Sequence, residues 1–97
     1  MAAQKISNDE IEANVAKLDG WTLSDSQDAI SKKFKFDDFV QAFSFMSAAA
    51  LKAEKMDHHP EWFNVYNRVE VKLTTHDVSG LSDLDMALAH AMDELAA

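Results

Sequence analysis

Residues 38–60 read DFVQAFSFMSAAALKAEKMDHHP, and this stretch decides the fold. It contains no Gly or Asn and no Pro before its last position, so it predicts one long helix from Phe39 to about Met56. Asp38 is the expected N-cap, with Gln41 three residues later as in a capping box. Pro60 disfavours helical backbone at the residue before it and therefore closes the segment.

The apolar side chains of this helix fall into two offset stripes. One stripe contains Phe39, Phe43, Met46, Ala50 and Ala53, and the other contains Ala42, Phe45, Ala49 and Met56. A helix that is apolar over so much of its circumference needs two partners. We expect its own sheet on one side and the same helix of a second subunit on the other, so that a charge at Phe45 would break assembly. The alternative is a helix buried entirely within its own core.

Shorter signals on both sides of this helix predict the remaining elements. Ser7 and Glu10 indicate a capping box for a first helix, which Gly20 is expected to end. Two strands follow, a short one around residues 21–23 and a second over 29–36. After the long helix, residues 62–66 and 69–74 read as strands, with Phe63, Val65, Val69, Val71 and Leu73 facing the core.

A last helix is expected to begin at Ser82, with Leu84, Leu88, Ala91 and Leu95 as its buried stripe. The element order is then α-β-β-α-β-β-α over a single domain, residues 1–97. This order predicts an α+β fold in which three helices pack on one face of a four-stranded antiparallel sheet.

Composition limits the functional classes. The chain has 97 residues and no Cys, which excludes disulfides, a thiol nucleophile and Cys-ligated metal. Nine Lys and Arg against seventeen Asp and Glu give a net charge of −8, which disfavours direct binding to nucleic acid. We see no signal peptide and no apolar run of the ~20 residues that would span a bilayer, so we expect a cytoplasmic protein without membrane contact.

Three of the four histidines occupy positions that suit chemistry. His58 and His59 lie at a helix end beside Asp57, and His76 follows a strand and precedes Asp77. Imidazole suits proton transfer near neutral pH. For each histidine alone, a structural role at a helix end or in a loop stays the simpler alternative, and His90 is expected to be solvated.

A metal site is the weaker interpretation of these histidines. Three imidazoles and a carboxylate could bind zinc, but adjacent His58 and His59 point apart and no H-x-x-x-H or H-x-H pair is present. Trp62, close to the histidines, is a candidate for a pocket wall. Asp85 completes an S-x-x-D capping box with Ser82, which favours a structural role, although its carboxylate could also orient a ligand or a histidine.

Residues 54–85, EKMDHHPEWFNVYNRVEVKLTTHDVSGLSDLD, closely resemble the pterin-4a-carbinolamine dehydratase family. The resemblance extends from Gly20 onward. It implies the predicted fold and the dehydration of 4a-hydroxytetrahydropterin to quinonoid dihydropterin in tetrahydrobiopterin recycling, with no metal and no organic cofactor. It also implies homodimers or homotetramers formed through the Phe39–Met56 helix and a sheet edge.

The resemblance also assigns site residues. His58 and His76 would transfer protons, His59 would be a third site histidine that mainly holds the substrate, and Asp85 would be a site carboxylate. The expected substrate-binding residues, besides the three histidines, are Asp57, Trp62, Thr74, Thr75 and Asp77. Which histidine is acid and which is base stays open, as does dimer against tetramer.

The expected partners are the pterin and, functionally, an aromatic amino-acid hydroxylase that makes it. In an animal member, the resemblance would add a nuclear location and a second role as dimerisation cofactor of a homeodomain transcription factor. The long central helix would then be the binding surface.

Overall fold

The computed structural model describes residues 3–97, and the predicted element order is confirmed. A single 3-10 turn, His76–Val78, follows the last strand. The elements are α1 (Asn8–Ala16), β1 (Thr22–Leu23), β2 (Ile30–Lys35), α2 (Phe39–Met56), β3 (Glu61–Val65), β4 (Arg68–Leu73) and α3 (Asp83–Ala96).

The four strands form one antiparallel sheet in the order β1-β2-β4-β3. β4 is central and pairs with β2 along its whole length, from Ile30 opposite Leu73 to Lys35 opposite Arg68. Because side chains alternate along a strand, Val69, Val71 and Leu73 all face the helices and are buried, as predicted. The helices cover this one face of the sheet.

The prediction that Phe63 and Val65 face the core is wrong. Their exposed fractions are 60% and 42%. β3 is an edge strand whose register places Trp62 opposite the inward Val71, so Trp62 takes the inner face and its neighbours point outward. β3 has apolar residues on both faces, Trp62 on one and Phe63 and Val65 on the other. The sequence pattern therefore does not show which face is buried, and the register with β4 determines it.

α2 begins and ends where the sequence predicts. The Asp38 carboxylate accepts a hydrogen bond from the Gln41 N–H at 2.9 Å. At the other end, Asp57 adopts left-handed backbone with φ of 52° and its N–H donates to the Glu54 carbonyl. This left-handed residue turns the chain sharply before Pro60.

Only one face of α2 is buried, by a stripe that contains Ala42, Phe45, Ala49 and Ala53. Phe45 packs against Phe34 with ring centroids 4.8 Å apart. The prediction that Phe45 serves assembly is therefore wrong, since a charge there would disrupt the core. The opposite face of α2 is exposed and carries Phe39, Val40, Phe43 and Leu51.

The ends of α1 differ from the prediction. Ser7 is the N-cap residue, but its hydroxyl donates to Glu10 Oε1 at 2.8 Å and caps no backbone N–H. The helix ends at Ala16, and Gly20, with φ of 79°, instead forms the turn into β1. Gly20 thus acts in the connection that follows the helix.

α3 begins at the predicted capping box, but its buried stripe is rotated from the predicted one. The buried residues are Asp85, Leu88, Ala89 and Met92, whereas Leu95 is exposed. The predicted stripe of apolar residues has the wrong phase, because the polar Asp85 is among the residues that the helix buries. Backbone bonds from the Ile6 N–H to Leu81 O and from the Asp83 N–H to Gln4 O fix the start of the helix.

None of the helices in residues 3–97 has the length and apolar character needed to cross a membrane.

Candidate active site

The ends of α2 and β4 converge on a cleft of about 310 Å³. Its walls come from the segment after α2 and from the segment that joins β4 to the 3-10 turn. This geometry brings together most of the predicted site, namely Asp57, His58, His59, Thr74, Thr75, His76 and Asp77.

His58 is the buried histidine of this group, with 8% of its surface exposed. Its N–H donates to the Ala53 carbonyl at 3.1 Å, which continues the helix-ending turn of Asp57. The imidazole then points inward, and its Nε2 lies 2.6 Å from Oδ1 of the fully buried Asp85.

Asp85 serves both of the roles considered for it. Its Oδ2 accepts the Ser82 N–H at 3.0 Å, which completes the capping box, and also the Thr75 hydroxyl at 2.6 Å. Oδ1 is left for His58. Because each oxygen has its own partners, the same carboxylate caps the N-terminus of α3 and orients the His58 ring.

This network assigns the proton of the neutral His58 ring to Nε2. A carboxylate only accepts hydrogen bonds, so the 2.6 Å contact requires an N–H on Nε2. Nδ1 has no hydrogen-bond partner among residues 3–97. Since every buried side-chain N or O atom in these residues does have a partner, Nδ1 is not buried, and His58 lines the cleft. Nδ1 therefore reaches the cleft with its lone pair free to accept a proton.

His59 and His76 are exposed and lie beside other carboxylates. Nε2 of His59 lies 2.8 Å from Oε1 of Glu54, and Nε2 of His76 lies 3.5 Å from Oε2 of Glu61. Neither glutamate was predicted, because the expected carboxylate neighbours of the histidines were Asp57 and Asp77. A signal for Glu54 was available, because it lies in the last turn of the helix that delivers His59.

The chain beyond β4 is shaped to present His76. Thr75 and Gly80 pair across the 3-10 turn, with N–O distances of 2.8 and 3.3 Å. The Thr74 hydroxyl donates to the Asp28 carbonyl at 2.6 Å, which ties this edge of the cleft to the β1–β2 loop. In that loop, hydroxyl donors from Ser26 and then Ser24 hold the pKa of the Asp28 carboxyl below its ordinary value.

Trp62 and His90 lie away from the cleft, and the fully buried Asp85 lies behind His58 and does not line it. Trp62 lines a separate, larger hollow of about 680 Å³ together with Lys33 and Glu70 of the sheet. His90 is exposed, with Nε2 3.1 Å from Glu94 of the next turn. Within residues 3–97, no three His, Asp or Glu side chains are arranged to hold a metal ion.

Comparison with known proteins identifies the family. A sequence profile described as "Pterin 4 alpha carbinolamine dehydratase" matches residues 4–95. The chain belongs to this family. A provisionally named pterin-4-alpha-carbinolamine dehydratase of Rhizobium rhizogenes is 57% identical over 97 residues, which cover all of this chain and 96% of the relative. A Rhizobium etli protein with the same provisional name is 53% identical with the same coverage.

A solved structure from the pterin dehydratase family has the same fold. The crystal structure of a transcriptional coactivator/pterin dehydratase from Brucella melitensis matches with a TM-score of 0.93 and 48% identity, over 97% of this chain and all of that one. The resemblance of residues 54–85 to the pterin-4a-carbinolamine dehydratases is thus confirmed.

Proposed function

We propose that this protein dehydrates 4a-hydroxytetrahydropterin to quinonoid dihydropterin. The observation that carries the proposal is the buried His58–Asp85 pair, whose free Nδ1 opens on a cleft shared with two further histidines. Membership of the pterin-4a-carbinolamine dehydratase family supports the substrate class. The reaction belongs to the carbon–oxygen lyases.

Two proton transfers balance the reaction. The C4a–O bond breaks as the N5–H electrons form the C4a=N5 bond, the N5 proton goes to a base, and an acid protonates the leaving oxygen to give water. General acid and general base each contribute about 10²–10⁴-fold. Since proton transfers alone complete the chemistry, the proposed reaction needs neither a metal nor an organic cofactor.

His58 suits the base and an exposed histidine suits the acid. Nδ1 of His58 is an acceptor, and Asp85 stabilises the imidazolium that forms when it takes the N5 proton. His76, in the opposite wall of the cleft, is our choice for the proton donor, and His59 holds the substrate. Both solvent-exposed rings can be reprotonated from water between turnovers.

The cleft also offers groups that could bind a pterin. A volume of about 310 Å³ lies at the lower end of the range for small-molecule sites. The Asp57 and Asp77 carboxylates can accept from the N–H groups of the ring, and the backbone from Thr74 to Asp77 supplies further donors and acceptors. Trp62, which lies elsewhere, is not part of this proposal.

Outside the cleft, we propose self-association through the exposed face of α2 and the edge strand β3. Phe39, Phe43 and Leu51 would leave water on contact with a second copy. A cytoplasmic location and a place in tetrahydrobiopterin recycling, after an aromatic amino-acid hydroxylase, complete the proposal.

The test presents the purified protein with 4a-hydroxytetrahydropterin prepared beforehand, in a buffer that contains a chelator. Formation of quinonoid dihydropterin is followed by absorbance against the spontaneous rate. We expect clear acceleration by the folded protein. A rate equal to the spontaneous one would overturn the proposal and leave a binding role through α2 as the candidate function.

A further inference from the structure

We propose that Thr75 and Ser82 are positioning residues, whose hydroxyls form a hydrogen-bond chain that fixes Asp85 and, through it, the tautomer of His58. The inference rests on the proposed function, and it assigns to Thr75 a role other than the substrate binding that the resemblance implies.

The donors and acceptors of the chain can be counted completely. Thr75 spends its one hydroxyl proton on Asp85 Oδ2, at 2.6 Å. The 2.6 Å contact between Thr75 Oγ1 and Ser82 Oγ must then use the proton of Ser82. Ser82 Oγ in turn accepts the Leu84 N–H at 3.2 Å. All three hydrogen bonds therefore point the same way. The Leu84 N–H donates to Ser82, Ser82 donates to Thr75, and Thr75 donates to Asp85.

This direction of hydrogen bonding determines which oxygen of Asp85 accepts from His58. Two donors, the Thr75 hydroxyl and the Ser82 N–H, occupy Oδ2, so the carboxylate cannot rotate to present another oxygen without breaking both bonds. Oδ1 is left as an acceptor, which requires the His58 proton on Nε2 and leaves Nδ1 free toward the cleft. Both Thr75 and Ser82 are buried, so water does not replace either hydroxyl easily.

The decisive variants are Thr75→Val and Thr75→Ser. Valine keeps the shape and removes the hydroxyl, whereas serine keeps the hydroxyl and removes the methyl group. We expect kcat to fall about 10- to 100-fold in Thr75→Val, as when outer-shell partners are removed from other sites. KM should change little, because the hydroxyl points at Asp85 and away from the substrate. Thr75→Ser should recover most of kcat.

A spectroscopic measurement reads the tautomer without any activity. In ¹⁵N NMR of the histidine rings, we expect wild type to show His58 protonated only at Nε2 in its neutral form. Thr75→Val should add a population protonated at Nδ1. Ser82→Ala, which removes the next link, should do the same to a smaller extent. It serves as the second variant if Thr75→Val does not fold.

The control is Val15→Ala, a core variant of α1 remote from the cleft. Compared at a similar loss of melting temperature, it should keep both kcat and the single tautomer. The proposal is overturned if Thr75→Val keeps wild-type kcat and one tautomer, if Thr75→Ser is as slow as Thr75→Val, or if KM rises in place of a fall in kcat. Should wild type fail to dehydrate the pterin, the proposed function fails, and the tautomer populations still decide this inference.

Discussion

His58 and His59 are neighbours in the chain, yet their rings are held by different carboxylates in different environments. His58 is buried against Asp85, and His59 lies in solvent beside Glu54. The left-handed backbone at Asp57 makes this divergence possible, because it ends α2 just before the pair. Two identical side chains therefore have different chemical roles in the proposed reaction.

Replacing His58 with alanine should remove the base without changing assembly. We expect the dehydration rate to fall by about 10²-fold or more. His90→Ala is the matched control, since His90 is an exposed histidine of α3 outside the cleft. Steady-state kinetics and light scattering on both variants check the prediction. A His58→Ala protein with near-wild-type rate would refute our choice of base.

Asp85→Asn should lower both stability and activity. The amide can replace one acceptor oxygen but leaves His58 without its anionic partner in a buried site. Leaving a buried group unsatisfied costs about 1–3 kcal/mol. Urea unfolding measures the loss, with Asp9→Asn on the exposed first turn of α1 as the control, expected within about 0.5 kcal/mol of wild type. Equal stability of the two variants would contradict the network described above.

The Asp28 carboxyl should titrate below its ordinary range because Ser26 and Ser24 donate to it. A carboxyl whose pKa is lowered on folding adds stability above its unfolded pKa, and this contribution is lost as pH falls through the folded pKa. An NMR titration should show the pKa of Asp28 rising toward its ordinary value in Ser26→Ala. An unchanged titration curve would mean that the hydroxyl is not the cause.

Among the elements, β2 carries a cation on the inner face of the sheet. Lys32 shares this face with Ile30 and Phe34, and its Nζ reaches Asp93 of α3 at 2.7 Å. Asp93 also accepts the Trp21 indole N–H at 3.0 Å. The lysine thus ties the sheet to α3 and to the start of β1. In the sequence, however, a lysine at this inward position breaks the apolar–polar alternation expected of a strand.

Lys32→Met should destabilise the fold, because it leaves the partly buried Asp93 without its cation. We expect a loss of about 1–3 kcal/mol in the free energy of unfolding. Lys33→Met, one residue along on the outward face, should stay within about 0.5 kcal/mol of wild type. Chemical denaturation of the two variants compares them directly, and equal losses would show that the Lys32–Asp93 pair contributes nothing specific.

The elements also show what the sequence could and could not predict. α2 was predictable because its signals are all local in sequence. They are an uninterrupted run of helix-compatible residues, the N-cap Asp38 and the following Pro60. The orientation of β3 and the rotation of α3 were not, because each depends on long-range contacts. The register with β4 turns Phe63 outward, and the partners of Asp85 bring that carboxylate inside. At the site, the motif located the histidines. Glu54 could have been inferred from its place in the last turn of α2, whereas Glu61 became visible as a partner of His76 only in the fold.

At the scale of the whole molecule, the exposed face of α2 is an apolar surface that we propose contacts a second copy. Phe43 is 56% exposed, and its ring lies 5.7 Å from that of Phe39, so the two form one apolar patch. Phe45, on the opposite side of the same helix, is already used by the core. Assembly and fold can therefore be tested separately.

Phe43→Glu should reduce the assembled mass while leaving the fold intact. Light scattering coupled to size exclusion measures the mass, and circular dichroism checks the helix content. Thr22→Glu, an exposed substitution on β1, is the control and should run at wild-type mass. A Phe43→Glu protein that keeps the wild-type mass would remove α2 from the proposed interface.

The double use of Asp85 has an evolutionary consequence. A lineage that gave up dehydration and kept the scaffold for binding could lose His76 or His59 at little structural cost, since both are exposed. Losing Asp85 would also uncap α3 and weaken the fold. We therefore expect inactive descendants to lose His59 and His76 first. Asp85 should be retained, because folding still requires it after the activity is lost.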